Sequence, residues 1–380
     1  MLLYITAEDV FGGETPERRR PRPRQTPSTL AALYDLGLRH HSRKAVLALP
    51  ADGAFEPIPD WKLDRLAIRI ALYARERLGL IPGSRLALFG RLGWLWPVVD
   101  FAALGFGAVS LGIEHDQPES AVASRLAEAA PRAVFATDPE SAERLRRLVE
   151  AGRLPGLTVV AEGPGEAAGL VPLARLLDLG STLDTPERAQ AFRAVSRHVA
   201  PEAEALQHLG ADGFRRLTHR EAMERVEGVL RARPARAGNV AYIEGPRVSL
   251  RLRLAWAAFV GDGLTTTALG REGRAEEEVR QLRPHELLAS AEWLERVLDR
   301  RGPRWPAGLD RPWARRRVLD VLGGNVRWVE SERAPAAAAA RALEAARVVA
   351  FVRDQQEVGA ETARQVGSPL AVTAPETAGG

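Results

Sequence analysis

SRLALFGRLGWLWPVVDFAALGFGAVSLGI, residues 84–113, decides the fold. Its opening, SRLALFG (84–90), reads as a strand, and its close, AVSLGI (108–113), as a second. The apolar residues 94–106 between them are long enough for a helix. Two strands joined through a helix pair in parallel by a crossover rather than as a hairpin. Upstream, WKLDRLAIRIALYARERLG (61–79) places Leu63, Leu66, Ile70 and Tyr73 at helical spacing, with Asp60 expected as its cap and Gly79 as its stop. Pro82-Gly83 then turns the chain into the first strand. Downstream come a helix near 118–130, the strand AVFAT (133–137), a helix over 139–151 and the strand LTVVA (157–161). Strands alternating with helices in this way define an α/β fold of doubly wound, mostly parallel sheets covered on both faces.

The rest of the chain extends the pattern. Ser28 is expected to cap a helix over 29–41, followed by the strand KAVLALP (44–50), a turn at Asp52-Gly53 and a returning strand AFEPIP. Residues 162–200 read as a connecting segment with short helices. A second block follows with helices at 219–232, 252–261, 274–282, 285–300, 310–321 and 335–346. Its strands are NVAYIE (239–244), GLTTTAL (263–269), NVRWV (325–329) and RVVAFV (347–352). The expected organisation is a flexible arm (1–27), a first α/β subdomain with its connecting segment (28–200), a second subdomain (201–353) and a loose tail (354–380).

Composition excludes several classes of function. The 380 residues are 46% hydrophobic and 27% charged, enough to bury a large core. There is no cysteine, hence no disulfide, thiolate nucleophile or cysteine-ligated zinc. The seven histidines (His40, His41, His115, His198, His208, His219, His285) form no closely spaced ligand set, so no metal site is expected. The pI of 9.9 reflects arginine, since Lys44 and Lys62 are the only lysines, while net charge is only +4. A nucleic-acid partner is therefore not expected, and the basic block Arg18–Arg24 reads as a solvated arm. No stretch has the length and apolarity of a membrane span or the pattern of a signal peptide, so a cytoplasmic protein is expected. The eight tryptophans read as packing residues. Asp100 and Asp116 lie near strand ends, where they are either solvated acids or part of a ligand-binding edge.

The order of motifs resembles the N-terminal part of AMP-forming acyl-CoA synthetases, the adenylate-forming superfamily, with the long-chain fatty-acid branch nearest. RLGWLWPVVDFAALGFGAVSLGI (91–113) has the shape of that family's tryptophan-bearing helix and following "GAV.VP" strand. LTHREAM (217–223) is similar to the segment after its phosphate loop, and PRVSLRLR (246–253) to "PLsHv.eR". LRPHELLASAEWLERVLDR (282–300), LGGNVRWVESERAP (322–335) and GSPLAV (367–372) match the next motifs in order.

The motifs that handle phosphate differ. The family's "TSGTTGxPKG" loop cradles ATP through glycine backbone and small hydroxyls. Its counterpart here, EALQHLGADGFRRLTH (204–219), has Gly213 in place of the lysine and no Ser or Thr before Thr218. Arg215 and Arg216 are either phosphate contacts or a solvated pair. The family histidine falls on Ser249, and the glycines of "SGGAP" become Glu332 and Arg333. If Glu357 is the Mg²⁺-binding glutamate of "GYGxTE", Arg353, Asp354 and Gln356 replace that motif's aromatic, glycine and threonine. No "YRTGD" motif and no lysine-bearing C-terminal domain is read in 354–380.

The resemblance thus implies nucleotide-site remnants at Gly210, Gly213, Thr218, His219 and Glu357, with His219 read as a helix-start residue and no catalytic residue assigned. It implies a degenerate, non-catalytic homologue that acts by binding a partner or an acyl ligand and needs no cofactor. The implied partners are a full-length acyl-CoA synthetase or another protein of acyl metabolism, or a second copy of the chain. The alternative is an AMP-forming long-chain fatty-acid–CoA ligase using ATP and Mg²⁺, alone or completed in trans.

Overall fold

The computed structural model describes residues 27–39, 45–51, 54–163, 169–210, 213–233, 238–245, 248–271, 273–301, 312–352 and 364–365. It divides into two compact units, Met1–Glu278 and Val279–Gly380.

In the first unit, α1 (Leu30–Arg39) leads into the hairpin of β1 (Leu47–Ala51) and β2 (Ala54–Ile58). The α1 cap is Thr29 rather than Ser28, because the Thr29 hydroxyl accepts from Ala32 N at 3.1 Å. Next come α2 (Asp60–Leu78), β3 (Arg85–Gly90), α3 (Leu95–Gly105) and β4 (Val109–Glu114). Asp60 opens α2 as its first residue, the N-cap position falling on Pro59. The alternation continues with α4 (Glu119–Ala129), β5 (Ala133–Ala136), α5 (Pro139–Glu150) and β6 (Val159–Ala161). The segment after it holds β7 (Leu170–Pro172), α6 (Leu173–Leu183) and α7 (Pro186–Arg197). Then follow β8 (Glu204–Gly210), β9 (Gly213–Thr218), α8 (His219–Ala232), β10 (Asn239–Ile243), α9 (Leu250–Asp262) and β11 (Thr265–Leu269). Helix α10 (Ala275–Leu282) carries the chain from one unit into the next.

Seven strands form one sheet in the order β7-β6-β5-β3-β4-β8-β9, parallel except for β9. Strand β3 has β4 on one side and β5 on the other, so the chain reverses its winding direction there. Ala87, Phe89, Leu111 and Ile113 pack on one face against Val122 and Leu126 of α4 and Leu145 and Leu148 of α5. Every residue of α3 is buried, as expected of a helix apolar on all sides. Strands β10, β11, β1 and β2 pair in that order, parallel except for β2. Sheet membership therefore crosses the division expected at residue 200: β8 and β9 join the first sheet, while β1 pairs with β11 from the later block.

The second unit contains β12 (Glu286–Leu288), α11 (Ala291–Arg301), α12 (Pro312–Val321), β13 (Trp328–Ser331), α13 (Ala337–Ala345), β14 (Val349–Val352) and β15 (Arg364–Gln365). Strands β12, β13 and β14 are parallel, and β15 runs antiparallel to β14. The helix expected over 285–300 is thus a short buried strand followed by a helix. Three apolar-rich residues have too little length for periodicity to separate the two. The tail expected to be loose contributes β15, and its other residues lie outside those described.

Candidate functional site

In doubly wound sheets, ligands meet the carboxyl ends of the parallel strands where the winding reverses. Here the winding reverses at β3, and the carboxyl ends of its neighbour β4 and of β8 lie side by side next to that point. Glu114 closes β4, and its Oε1 lies 3.0 Å from His208 Nε2 on β8. That contact assigns the imidazole proton to Nε2. His208 is buried, and burial pushes its pKa down despite the neighbouring carboxylate. The ring packs closely onto β4: a Cβ on Gly112 would lie 2.9 Å from His208 Nδ1, 2.8 Å from Arg253 Nη1 and 2.9 Å from the Trp96 ring. A side chain on Gly210 would collide with Glu114 Oε1.

Beyond Gly210 the chain turns back at once. β8 and β9 pair from Glu204 opposite Thr218 through Gly210 opposite Gly213, which leaves two residues for the turn. Gly213 has φ +87°, the left-handed geometry that glycine supplies at such a corner. Phe214 follows, with the Arg125 guanidinium 3.7 Å from its ring centroid. Arg216 pairs with Glu204 at 3.8 Å, and Arg215 is exposed.

The remaining expected residues fall elsewhere. Thr218 lies at the far end of β9 from Gly213, roughly 17 Å along a strand rising about 3.4 Å per residue. There it forms a capping box for α8: its hydroxyl accepts from Glu221 N at 3.2 Å, and Glu221 Oε2 accepts from Thr218 N at 2.8 Å. His219 is buried, with Nδ1 accepting from Leu30 N at 3.2 Å, and burial pushes its pKa down to about 4. It is a neutral pin between α8 and α1. The structure thus brings Gly210 and Gly213 together at the hairpin and leaves Thr218 and His219 away from it. Glu357 lies outside the described residues.

The same holds at the other motif positions. Ser249 caps α9 by accepting from Leu252 N at 3.3 Å. In the second unit Glu332 Oε1 accepts from Ala291 N at 3.0 Å, and Arg333 pairs with Glu295 at 2.7 Å. The turn that would need glycines for close backbone approach is closed by its own side chains. Asp116 is exposed after β4. Asp100 is buried within α3 and meets Arg253 of α9 in a two-point ion pair, 2.7 Å from Nη2 and 3.1 Å from Nε. Arg253 also donates to Ser110 Oγ (2.8 Å), Ser110 O (3.2 Å) and Gln207 O (3.0 Å). It ties α9 to α3, β4 and β8 behind the site.

No group of three or more His, Asp and Glu residues among those described is placed to hold a metal ion. Among the described residues no helix is long and apolar enough to cross a membrane. Four tryptophans, Trp96, Trp256, Trp293 and Trp328, are buried as expected, but Trp61 is 68% exposed.

Residues 62–187 match the family described as AMP-binding enzyme. No curated protein sequence matches the chain. Among solved structures, the A domain of carboxylic acid reductase from Segniliparus rugosus is similar over 88% of this chain and 61% of its own, at 14% identity and a TM-score of 0.65. A benzoate CoA ligase from Burkholderia xenovorans LB400 is similar over 87% and 62%, at 18% identity and TM-score 0.64. A putative long-chain-fatty-acid CoA ligase from Rhodopseudomonas palustris CGA009 is similar over 85% and 74%, at 16% identity and TM-score 0.64. The fold is therefore that of the N-terminal region of adenylate-forming enzymes. The chain spans about three fifths of the carboxylic acid reductase domain and of the benzoate CoA ligase.

Proposed function

We propose that this protein is a non-catalytic relative of AMP-forming acid–thiol ligases, nearest in motif order to the long-chain fatty-acid branch. It acts by binding a protein of acyl metabolism or an acyl ligand. One observation carries the reading: the counterpart of the phosphate loop is a tight hairpin whose strands pair through to Gly210 opposite Gly213. Adenylation joins a carboxylate oxygen to the α-phosphorus, and its transition state depends on donors aimed at developing charge. Losing one such donor costs roughly 10²–10³ in rate. Here the corresponding positions hold a hairpin corner at Gly213, a helix cap at Ser249 and an ion-paired turn at Glu332–Arg333. The solved structures of similar fold include one holding AMP and a co-purified carboxylic acid, which supports a carboxylic acid as the ligand class.

ATP–pyrophosphate exchange with fatty acids of graded length, beside calorimetric titration of ATP·Mg²⁺, tests this. The expected result is no exchange and no heat at millimolar ATP. Exchange by the protein alone overturns the reading in favour of an active ligase. Exchange appearing only with an added partner overturns it in favour of a ligase completed in trans.

A further inference from the structure

Away from the hairpin, α2 and α7 flank a groove of about 520 Å³ in the first unit. Arg65, Gln190, Arg193 and Arg197 line it, with Pro186 and Ala189 as its apolar part. Gln190, Arg193 and Arg197 recur at helical spacing, so α7 presents them as one stripe.

What sets this groove apart is the layering of its charge. Each lining arginine is held by an aspartate whose side chain is at most 7% exposed: Arg65 by Asp184 (2.8 Å), Arg197 by Asp35 (3.0 Å) and Arg193 by Asp64. The guanidiniums lie in front, with Arg65 43% and Arg197 51% exposed. Arg69 also pairs with Asp184, at 3.4 Å, so this layer sets four arginines against three carboxylates. An aspartate behind a guanidinium fixes its plane and consumes only part of its five-donor fork. A molecule entering the groove therefore meets oriented arginine donors, with the acids beneath them.

We propose that this groove binds a small polyanion, a molecule presenting phosphoryl or carboxylate oxygens. Guanidinium forks match the oxygen spacing of both groups. A cavity of this size lies in the ordinary range for a small-molecule site, about 300–1,000 Å³. The proposal stands apart from the hairpin and does not depend on whether ATP is turned over.

The test is calorimetric titration of the intact protein with pyrophosphate and, separately, with citrate. Binding below millimolar that weakens as salt rises is expected from at least one probe. Pyrophosphate alone would identify phosphoryl oxygens, and citrate alone carboxylate oxygens. Gln190→Glu adds a negative charge to the groove without touching an ion pair, and should weaken binding about tenfold. Arg65→Gln should weaken it similarly while Arg69 keeps its bond to Asp184. Arg215→Ala, at the hairpin, should change nothing, which separates this site from any residual nucleotide site. No binding of either probe at millimolar concentration, or binding unchanged in both groove variants, overturns the proposal.

Discussion

Replacing Arg253 with leucine should cost about 4 kcal/mol of folding stability. The variant leaves Asp100 charged and buried within α3, and removes the donor that serves Ser110 O and Gln207 O. Breaking a buried pair by deleting one partner costs about 3–5 kcal/mol, because an uncompensated charge stays behind. Each carbonyl left without a donor adds roughly 1–3 kcal/mol unless it relaxes. We take about 4 kcal/mol, since Ser110 Oγ still donates to Asp100 at 2.5 Å and shares part of the charge. At a urea slope of about 3 kcal/mol/M, the unfolding midpoint should fall by about 1.3 M, read by circular dichroism and tryptophan fluorescence. The double variant Arg253→Leu with Asp100→Leu removes both charges and should recover at least half of the loss. Arg253→Lys keeps the charge but loses the fork, and should fall between the parent and the leucine variant. If Arg253→Leu lies within about 1 kcal/mol of the parent, or if the double variant is no better than the single, the pair does not hold α9 to α3 and β4.

Three further outcomes follow from the same packing. The pKa of His219, pushed to about 4 by burial, lies below its ordinary 6.5, so the stability it contributes is whole above pH 6.5 and lost as pH falls toward 4. A shift of that size is worth about 3 kcal/mol at ~1.36 kcal/mol per unit, and His219→Asn, which cannot titrate, should flatten the stability profile measured by urea midpoints from pH 7 to 4. An unchanged profile would show that the pin contributes nothing. Gly37→Ala would drive its Cβ into the Val260 carbonyl of α9; it should cost about 1–3 kcal/mol and lower the melting temperature measured by calorimetry. Thr218→Ala removes the capping-box hydroxyl of α8 and should cost about 1 kcal/mol, whereas Thr218→Ser should stay near the parent in the same urea assay.

Periodicity was enough to place β3, α3, β4 and the helices that follow, because each is long and alternates cleanly with turns. It missed β8 and β9, where EALQHLG and GFRRLT show no clean alternation of apolar and polar residues, and where the family resemblance suggested a loop. It missed the sheet membership of β1 because register across more than two hundred residues leaves no local trace: Leu47 stands opposite Thr267. The Asp100–Arg253 pair had a visible signal: Asp100 is the one charged residue of α3, and Arg253 stands with Arg251 at the start of a stretch that is then apolar through Gly261. Buried charges need partners, so each implied the other, but nothing in the sequence said which opposite charge was near. The contact between Glu114 and His208 depends on β4 and β8 lying side by side, which only the sheet order reveals.

The glycines and hydroxyls that stand at motif positions each have a local structural reason. A phosphate site needs Gly210 bare so that a ligand oxygen can reach the backbone. In this protein Gly210 is bare because Glu114 occupies the space its side chain would fill. Gly112 is bare because His208, Arg253 and Trp96 converge on it. Thr218 and Ser249 are helix caps, each using its hydroxyl on the backbone of its own helix. Glu332 and Arg333 spend their polar atoms on α11 and on Glu295, within their own unit. At each of these positions the packing or hydrogen bonding accounts for the residue without a nucleotide. On α2 and α7, by comparison, Arg65, Arg193 and Arg197 are each held from behind by a buried aspartate. That layering of guanidiniums over buried acids is the physical reason to titrate anions against the α2–α7 groove first.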